Sequence, residues 1–129
     1  MKLDDAFGVH EQALQLRARR AEVLAGNLSN ADTPHFKARD FDFAEVMKKQ
    51  LVASVRLVTT QASHVGAPTD VVPAAQLKYR VPQQPSLDGN TVEVESEQAR
   101  YGANAMQYQA SLRFLEGKIK GLMTALTGN

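Results

Sequence analysis

Three histidines, His10, His35 and His64, are the first residues to weigh as metal ligands or proton carriers. A helical metal site needs ligands three or four residues apart, so that they converge on one face. No two of the three stand at that spacing. His10 falls on an apolar helical row, where a packed or interface imidazole is the plain reading. Asp40 and Asp42 flank Phe41, and carboxylates that close could hold a cation. Helix capping or solvation is the commoner use of such a pair. The chain has no G-x-S-x-G, no phosphate-binding glycine loop, no G-x-G-x-x-G and no cysteine. Nucleophilic, phosphoryl, dinucleotide and thiolate chemistry therefore all lack their residues. No enzyme activity, cofactor or metal site is expected.

Arg17-Ala18-Arg19-Arg20 is the one basic cluster. Its sharp reading is a phosphate contact. Glu11 and Glu22 dilute it, so a helix face is the better reading, with Arg17 pairing an acid of a neighbouring helix. The 129 residues carry 15 Lys and Arg against 14 Asp and Glu, a net charge of +1. Residues 1–30 and residues 91–129 each balance four positive against four negative charges. Nucleic-acid binding draws on clustered cations, and so does a polybasic membrane anchor; neither is expected. No apolar run approaches the ~18 residues of a spanning helix. Asp4 and Asp5 stand where a secretory signal needs its apolar stretch. The sequence reads as cytosolic, or as exported by a route without a cleaved signal.

The elements that would position these residues lie at the two ends. Alternating steps of four and three pick out Leu3, Phe7, His10, Leu14, Arg17, Ala21, Leu24 and Leu28, six of the eight apolar. The same steps pick out Tyr101, Ala105, Tyr108, Leu112, Leu115, Ile119, Leu122 and Leu126, all apolar. Both are heptad seams of long helices. Val9, Leu16 and Val23 form a second row on the first helix; Met106, Ala110 and Phe114 widen the second stripe. Glu93, Glu95 and Glu97 near one end, and Lys118 and Lys120 near the other, suit the helix dipole. Gly117 and Gly121 mark a close approach of another backbone.

The middle differs in kind. Four of five prolines, Pro68, Pro73, Pro82 and Pro85, fall here. Asp42 is suited to cap a short helix, with Glu45 closing a capping box and Phe43, Val46, Met47 and Gln50 facing inward. Val55-Arg56-Leu57-Val58-Thr59 and Leu77-Lys78-Tyr79-Arg80-Val81 have strand composition. Leu87-Asp88-Gly89-Asn90 is a turn in which Gly89 and Asn90 tolerate positive φ. A small β-hairpin or extended arm is expected. The fold class is mainly α: long N- and C-terminal helices paired in a coiled-coil-like bundle, with a small β or extended Pro-containing middle segment. Residues 1–129 form one discontinuous domain, with 1–31 and 93–129 as the helical core and 32–92 as the insert. Two helices leave no third layer to cover both wide stripes. Leu14, Ala21, Leu24, Leu28, Tyr101, Tyr108, Leu112, Leu115, Ile119 and Leu122 are therefore the expected seam and subunit interface, with Leu112–Leu122 packing around Leu14, Ala21 and Leu24.

After the first helix the chain reads Asn27-Leu28-Ser29-Asn30-Ala31-Asp32-Thr33-Pro34-His35-Phe36. Asn30 is suited to end the helix in a left-handed conformation. Pro34 pushes Thr33 out of α space, so a fixed corner follows. This segment resembles the N-terminal signature of bacterial flagellar axial proteins, the rod and hook family, which runs Asn-Ile-Ala-Asn-Ala-x-Thr-Pro-Gly-Tyr. Here Leu28 and Ser29 replace Ile and Ala, His35 replaces Gly, and Phe36 replaces Tyr. The Gly-to-His change removes conformational freedom, and a differently shaped corner is expected. Lys37-Ala38-Arg39-Asp40-Phe41-Asp42-Phe43, Tyr79-Arg80-Val81-Pro82 and Ser86-Leu87-Asp88-Gly89-Asn90-Thr91-Val92 extend the resemblance, towards the cell-proximal rod members of that family. Residues 53–76 are the least distinctive.

The resemblance implies a structural subunit of the basal-body rod in the periplasmic space. It implies delivery by the flagellar type III export apparatus and no direct membrane insertion. It implies terminal helices that order on packing with copies of the chain and with other rod proteins, and a contact with the junction protein FliE. Asn27, Asn30, Asp32, Thr33, Pro34 and Phe36 would be the family's joint. Phe43-Ala44-Glu45-Val46-Met47 matches its Phe-x-x-x-hydrophobic export signal; Phe43 and Met47 suit packing of the short helix equally well. The competing class is a soluble helical adaptor acting as monomer or dimer.

Overall fold

The computed structural model describes residues 3–56 and 76–128. Five elements follow in order: α1 (Leu3–Ser29), β1 (Arg39–Asp40), α2 (Phe43–Arg56), β2 (Lys78–Tyr79) and α3 (Val94–Thr127). At 1.5 Å per residue α1 is about 40 Å long and α3 about 51 Å. The two run antiparallel. Asn27 reaches Glu97 near one end of the pair, Arg17 reaches Gln107 in the middle, and the His10 ring lies tilted against Phe114 further on. The architecture is the expected mainly helical one, a long terminal pair with a small β-containing middle.

The two rows on α1 have different partners. Leu16, Arg20, Val23 and Asn27 face the middle segment. Leu16 is fully buried in a small core with Phe41 and Val46, and Val23, Phe43, Met47 and Leu77 pack around it. The neighbouring row of Arg17 and Ala21 faces Tyr101, Asn104, Ala105 and Tyr108 of α3. Leu24 is also buried. α2 begins as expected, because the Asp42 carboxylate accepts the N–H of Glu45 at 3.1 Å. The capping box stays half-built: Glu45 turns outward to Lys49 and Lys78.

Several expectations change. Val55 and Arg56 belong to α2, not to a strand. The helix started at Asp42 continues through them, since no proline or glycine intervenes. Leu57, Val58, Thr59, His64, Pro68 and Pro73 lie outside the described residues. β2 pairs antiparallel with β1, Arg39 opposite Tyr79 and Asp40 opposite Lys78. The described sheet is therefore no hairpin; it joins segments from either side of α2. Asn30 has no positive φ. It ends α1 differently, its backbone and side-chain N–H groups both donating to Gly26 O. Glu95 and Glu97 do stand in the first turn of α3, but its last turn holds no basic residue. A Cβ at Gly117 or Gly121 would meet nothing within 4 Å among the described residues.

The core is small, so each member matters. Leu16→Ala should cost roughly 2–4 kcal/mol, read as a lowered urea midpoint with helix content retained before the transition.

Candidate functional site

Where α1, the sheet and α3 meet, the contacts are polar. The Asn27 carboxamide donates from Nδ2 to Arg39 O at 2.7 Å, and its Oδ1 accepts the Arg39 N–H at 3.1 Å. Nδ2 also donates to Glu97 Oε2 at 3.1 Å. Both Asn27 and Glu97 are buried. The Arg80 guanidinium pairs with the Glu97 carboxylate. Arg80 also donates to Asp40 Oδ2 at 2.5 Å. Arg20 closes on the same carboxylate with two hydrogen bonds, 3.1 Å from Nε and 3.0 Å from Nη2. One network thus binds α1, β1, α3 and the residue following β2. Burial opposes the charge on Asp40, but hydrogen bonds from Arg20 and the Phe41 N–H, with both arginine charges, outweigh it and lower its pKa. Asp42 is the α2 cap, so neither aspartate is left over for a cation. No cluster of potential metal ligands occurs among the described residues.

The corner after α1 is clasped from the far end of the insert. Asn90 Nδ2 donates to the carbonyls of Asn30, Ala31 and Thr33 at 2.8–3.0 Å. The His35 N–H donates to Asp88 O, and the Thr91 N–H to Phe36 O. Thr91 Oγ1 accepts the Ala38 N–H at 2.8 Å. Two motifs distant in sequence are therefore one structure. His35, at the family's glycine position, adopts φ 61°, the conformation a glycine would take. The clasp thus holds an L-residue in a region that costs it about 1–2 kcal/mol. Gly89 does take positive φ, at 74°, and a Cβ there would meet His35 Nδ1 at 3.0 Å. Asn90 contributes its side chain rather than a positive φ. Asp32, Thr33 and Pro34 are exposed on the corner; Phe36 is half-buried.

The basic cluster disperses. Arg19 pairs with Glu22 and Arg20 with Asp40. Among the described residues Arg17 finds no acid; it donates to Gln107 Oε1 at 2.6 Å and lies 4.2 Å over the Phe43 ring. Burial, then the nearby charge of Arg20, lowers its pKa. Phe43 and Met47 both pack on the core around Leu16. Glu45 is held down to about 2 by hydrogen bonds from Lys49 and Lys78.

The seam of α3 lies largely in the open. Tyr101, Tyr108, Leu112 and Ile119 are between 36 and 44% exposed, and Phe114, Met123 and Leu126 more so. Leu115 and Leu122 are half-buried. On α1, Leu14, Ala21 and Leu28 are half-buried. The antiparallel register corrects the expected pairing. Since His10 lies against Phe114, Leu115–Leu122 lie toward the start of α1. Opposite Ala21 stand Tyr101, Asn104 and Ala105 instead. Sequence reasoning missed Glu97 and Asn104 as buried contacts. Their spacing of seven was the available signal, obscured by the apolar row beside it.

Comparison with known proteins places these features. Residues 7–37 match the family of flagella basal body rod proteins. The flagellar basal body rod protein FlgB of Escherichia coli (strain K12) is 47% identical over 99% of this chain and 98% of its own. The FlgB protein of Cereibacter sphaeroides is 48% identical, covering 96% and 95%. That of Aeromonas hydrophila is 44% identical, covering 99% and 97%.

The network has a pH signature. With its pKa lowered in the fold, Asp40 binds fewer protons there than in the unfolded chain, whose value lies near 3.8. Its contribution is complete above that value and is lost as pH falls through the lowered one. Asp40→Asn should lower stability at pH 7 by roughly 1–3 kcal/mol. It should also flatten the acid limb of a urea-midpoint profile taken from pH 7 to 2.

Proposed function

The chain belongs to the FlgB family of flagellar basal body rod proteins, and from that premise we propose how it serves as a structural, non-enzymatic subunit of the rod. It assembles through its terminal helices with copies of itself and with other rod proteins. The supporting observation is the apolar stripe of α3, which α1 covers along one edge only. A helix that exposes Tyr101, Leu112, Ile119 and Met123 together awaits other helices. The subunit reaches the periplasmic part of the proximal rod through the flagellar type III export apparatus, without a cleaved signal. FliE joins it to the ring beneath.

Phe43 and Met47 fit an export signal read before α2 docks, because in the folded chain both are packed against the core. The joint of Asn27, Asn30, Asp32, Thr33, Pro34 and Phe36 holds insert and helices at one angle, so that torque passes between them. A soluble adaptor would bury its apolar stripe privately, and the exposure of α3 disfavours that reading.

Ile119→Asp should leave the helix content of the isolated chain unchanged and abolish swimming and incorporation into rods. Normal swimming would return the stripe to an idle surface. Phe43→Ala should reduce the secreted amount without reducing the intracellular amount; equal secretion would leave Phe43 a packing residue alone.

A further inference from the structure

Over the first half of α3, before Leu115 and Leu122 join the same line, the side turned to α1 is not its most apolar side. At about 100° per residue, Glu97, Asn104 and Ser111 fall within about 20° of one line, and Tyr101, Tyr108, Leu112 and Ile119 centre about 60° to one side. Glu97 and Asn104 are the two fully buried side chains of the helix. Apolar burial alone would turn the stripe onto α1. There is room for it to turn, because a cleft of about 320 Å³ lies beside Asn104 between Ala18, Ala21, Tyr101 and Tyr108. Asn104 donates from Nδ2 to Arg17 O at 2.9 Å. Its Oδ1 accepts no hydrogen bond among the described residues. A half-satisfied buried carboxamide is a poor stabiliser. A polar group buried between helices is, however, an effective selector of one arrangement.

We propose that Asn104, together with Glu97, is a positioning residue that holds α3 turned away from its best apolar fit on α1. The Tyr101–Ile119 stripe is thereby kept outward for a neighbouring subunit. This rests on the rod reading for its purpose, but not for its geometry, which the isolated chain displays. Replacing Asn104 by an apolar residue removes the cost of rotation. The stripe then turns inward, and Phe114, on the opposite flank of the buried line, turns further outward.

The test uses the absence of cysteine from the chain. Single Leu112→Cys and Phe114→Cys reporters are alkylated with a maleimide in the full-length protein, with and without Asn104→Leu. The expected result is labelling at 112 slowed at least about fivefold as the thiol is buried, with labelling at 114 unchanged or faster. A general tightening would slow both, and would overturn the proposal. So would unchanged labelling at 112 in a variant whose helix content is intact. Asn104→Ala, which removes the carboxamide without adding bulk, should act in the same direction. If both variants lose their helices, Asn104 is a stabilising group and the proposal fails. Swimming of the Ile119→Asp strain tests the rod reading separately.

Discussion

The carboxamide of Asn27 occupies the place of a neighbouring strand. It offers one acceptor and one donor to a single residue, Arg39, as a strand partner would. β1 is only two residues long, and β2 pairs along its other side. Without Asn27 the strand would present unpaired backbone groups in a partly buried place, at some cost in desolvation. The same Nδ2 reaches Glu97, so the group that completes the sheet also fixes the start of α3. Any account of how insert and helices are held together passes through this side chain.

Around it the usual distribution of polarity is inverted. The α1–α3 contact buries Asn27, Glu97 and Asn104, while aromatic and aliphatic side chains of α3 stand outside. Among the described residues the buried apolar side chains are few: Leu16, Phe41 and Val46 in one cluster, with Leu24 and Ala38. Polar contacts of this kind add modestly to stability after desolvation, but they are selective about geometry. Apolar surface is the reverse, strong and tolerant of arrangement. A subunit that spends its selective contacts internally and keeps its tolerant ones outside is well defined in shape and still able to join neighbours.

The long helices and the Asp42 cap were legible because periodicity and capping are local signals. The Thr33-Pro34 corner was legible for the same reason. What stayed hidden was relational. Leu16 and Arg17 are adjacent in sequence, and nothing local says that one enters the core beside the insert while the other reaches both Phe43 and Gln107 of α3. The strand character at Lys78–Tyr79 was visible, but its partner Arg39–Asp40 is too short to announce itself. Val55 and Arg56 have strand composition and sit in a helix already propagating through them. His35 was expected to reshape the corner. Its N–H donates to Asp88 O of the distant turn while its φ is positive, and composition cannot foresee that pairing.

The Asn90 clasp also has a consequence in time. It spans sixty residues of sequence, from Asn30 to Asn90. Contacts that distant form late, because the intervening chain must first be gathered. During folding the corner can bend long before the turn that locks it is within reach. His35 has no reason to hold its costly conformation until then. The joint therefore keeps its own schedule: it stays unset while the insert is ungathered, and sets when the turn around Asn90 reaches it.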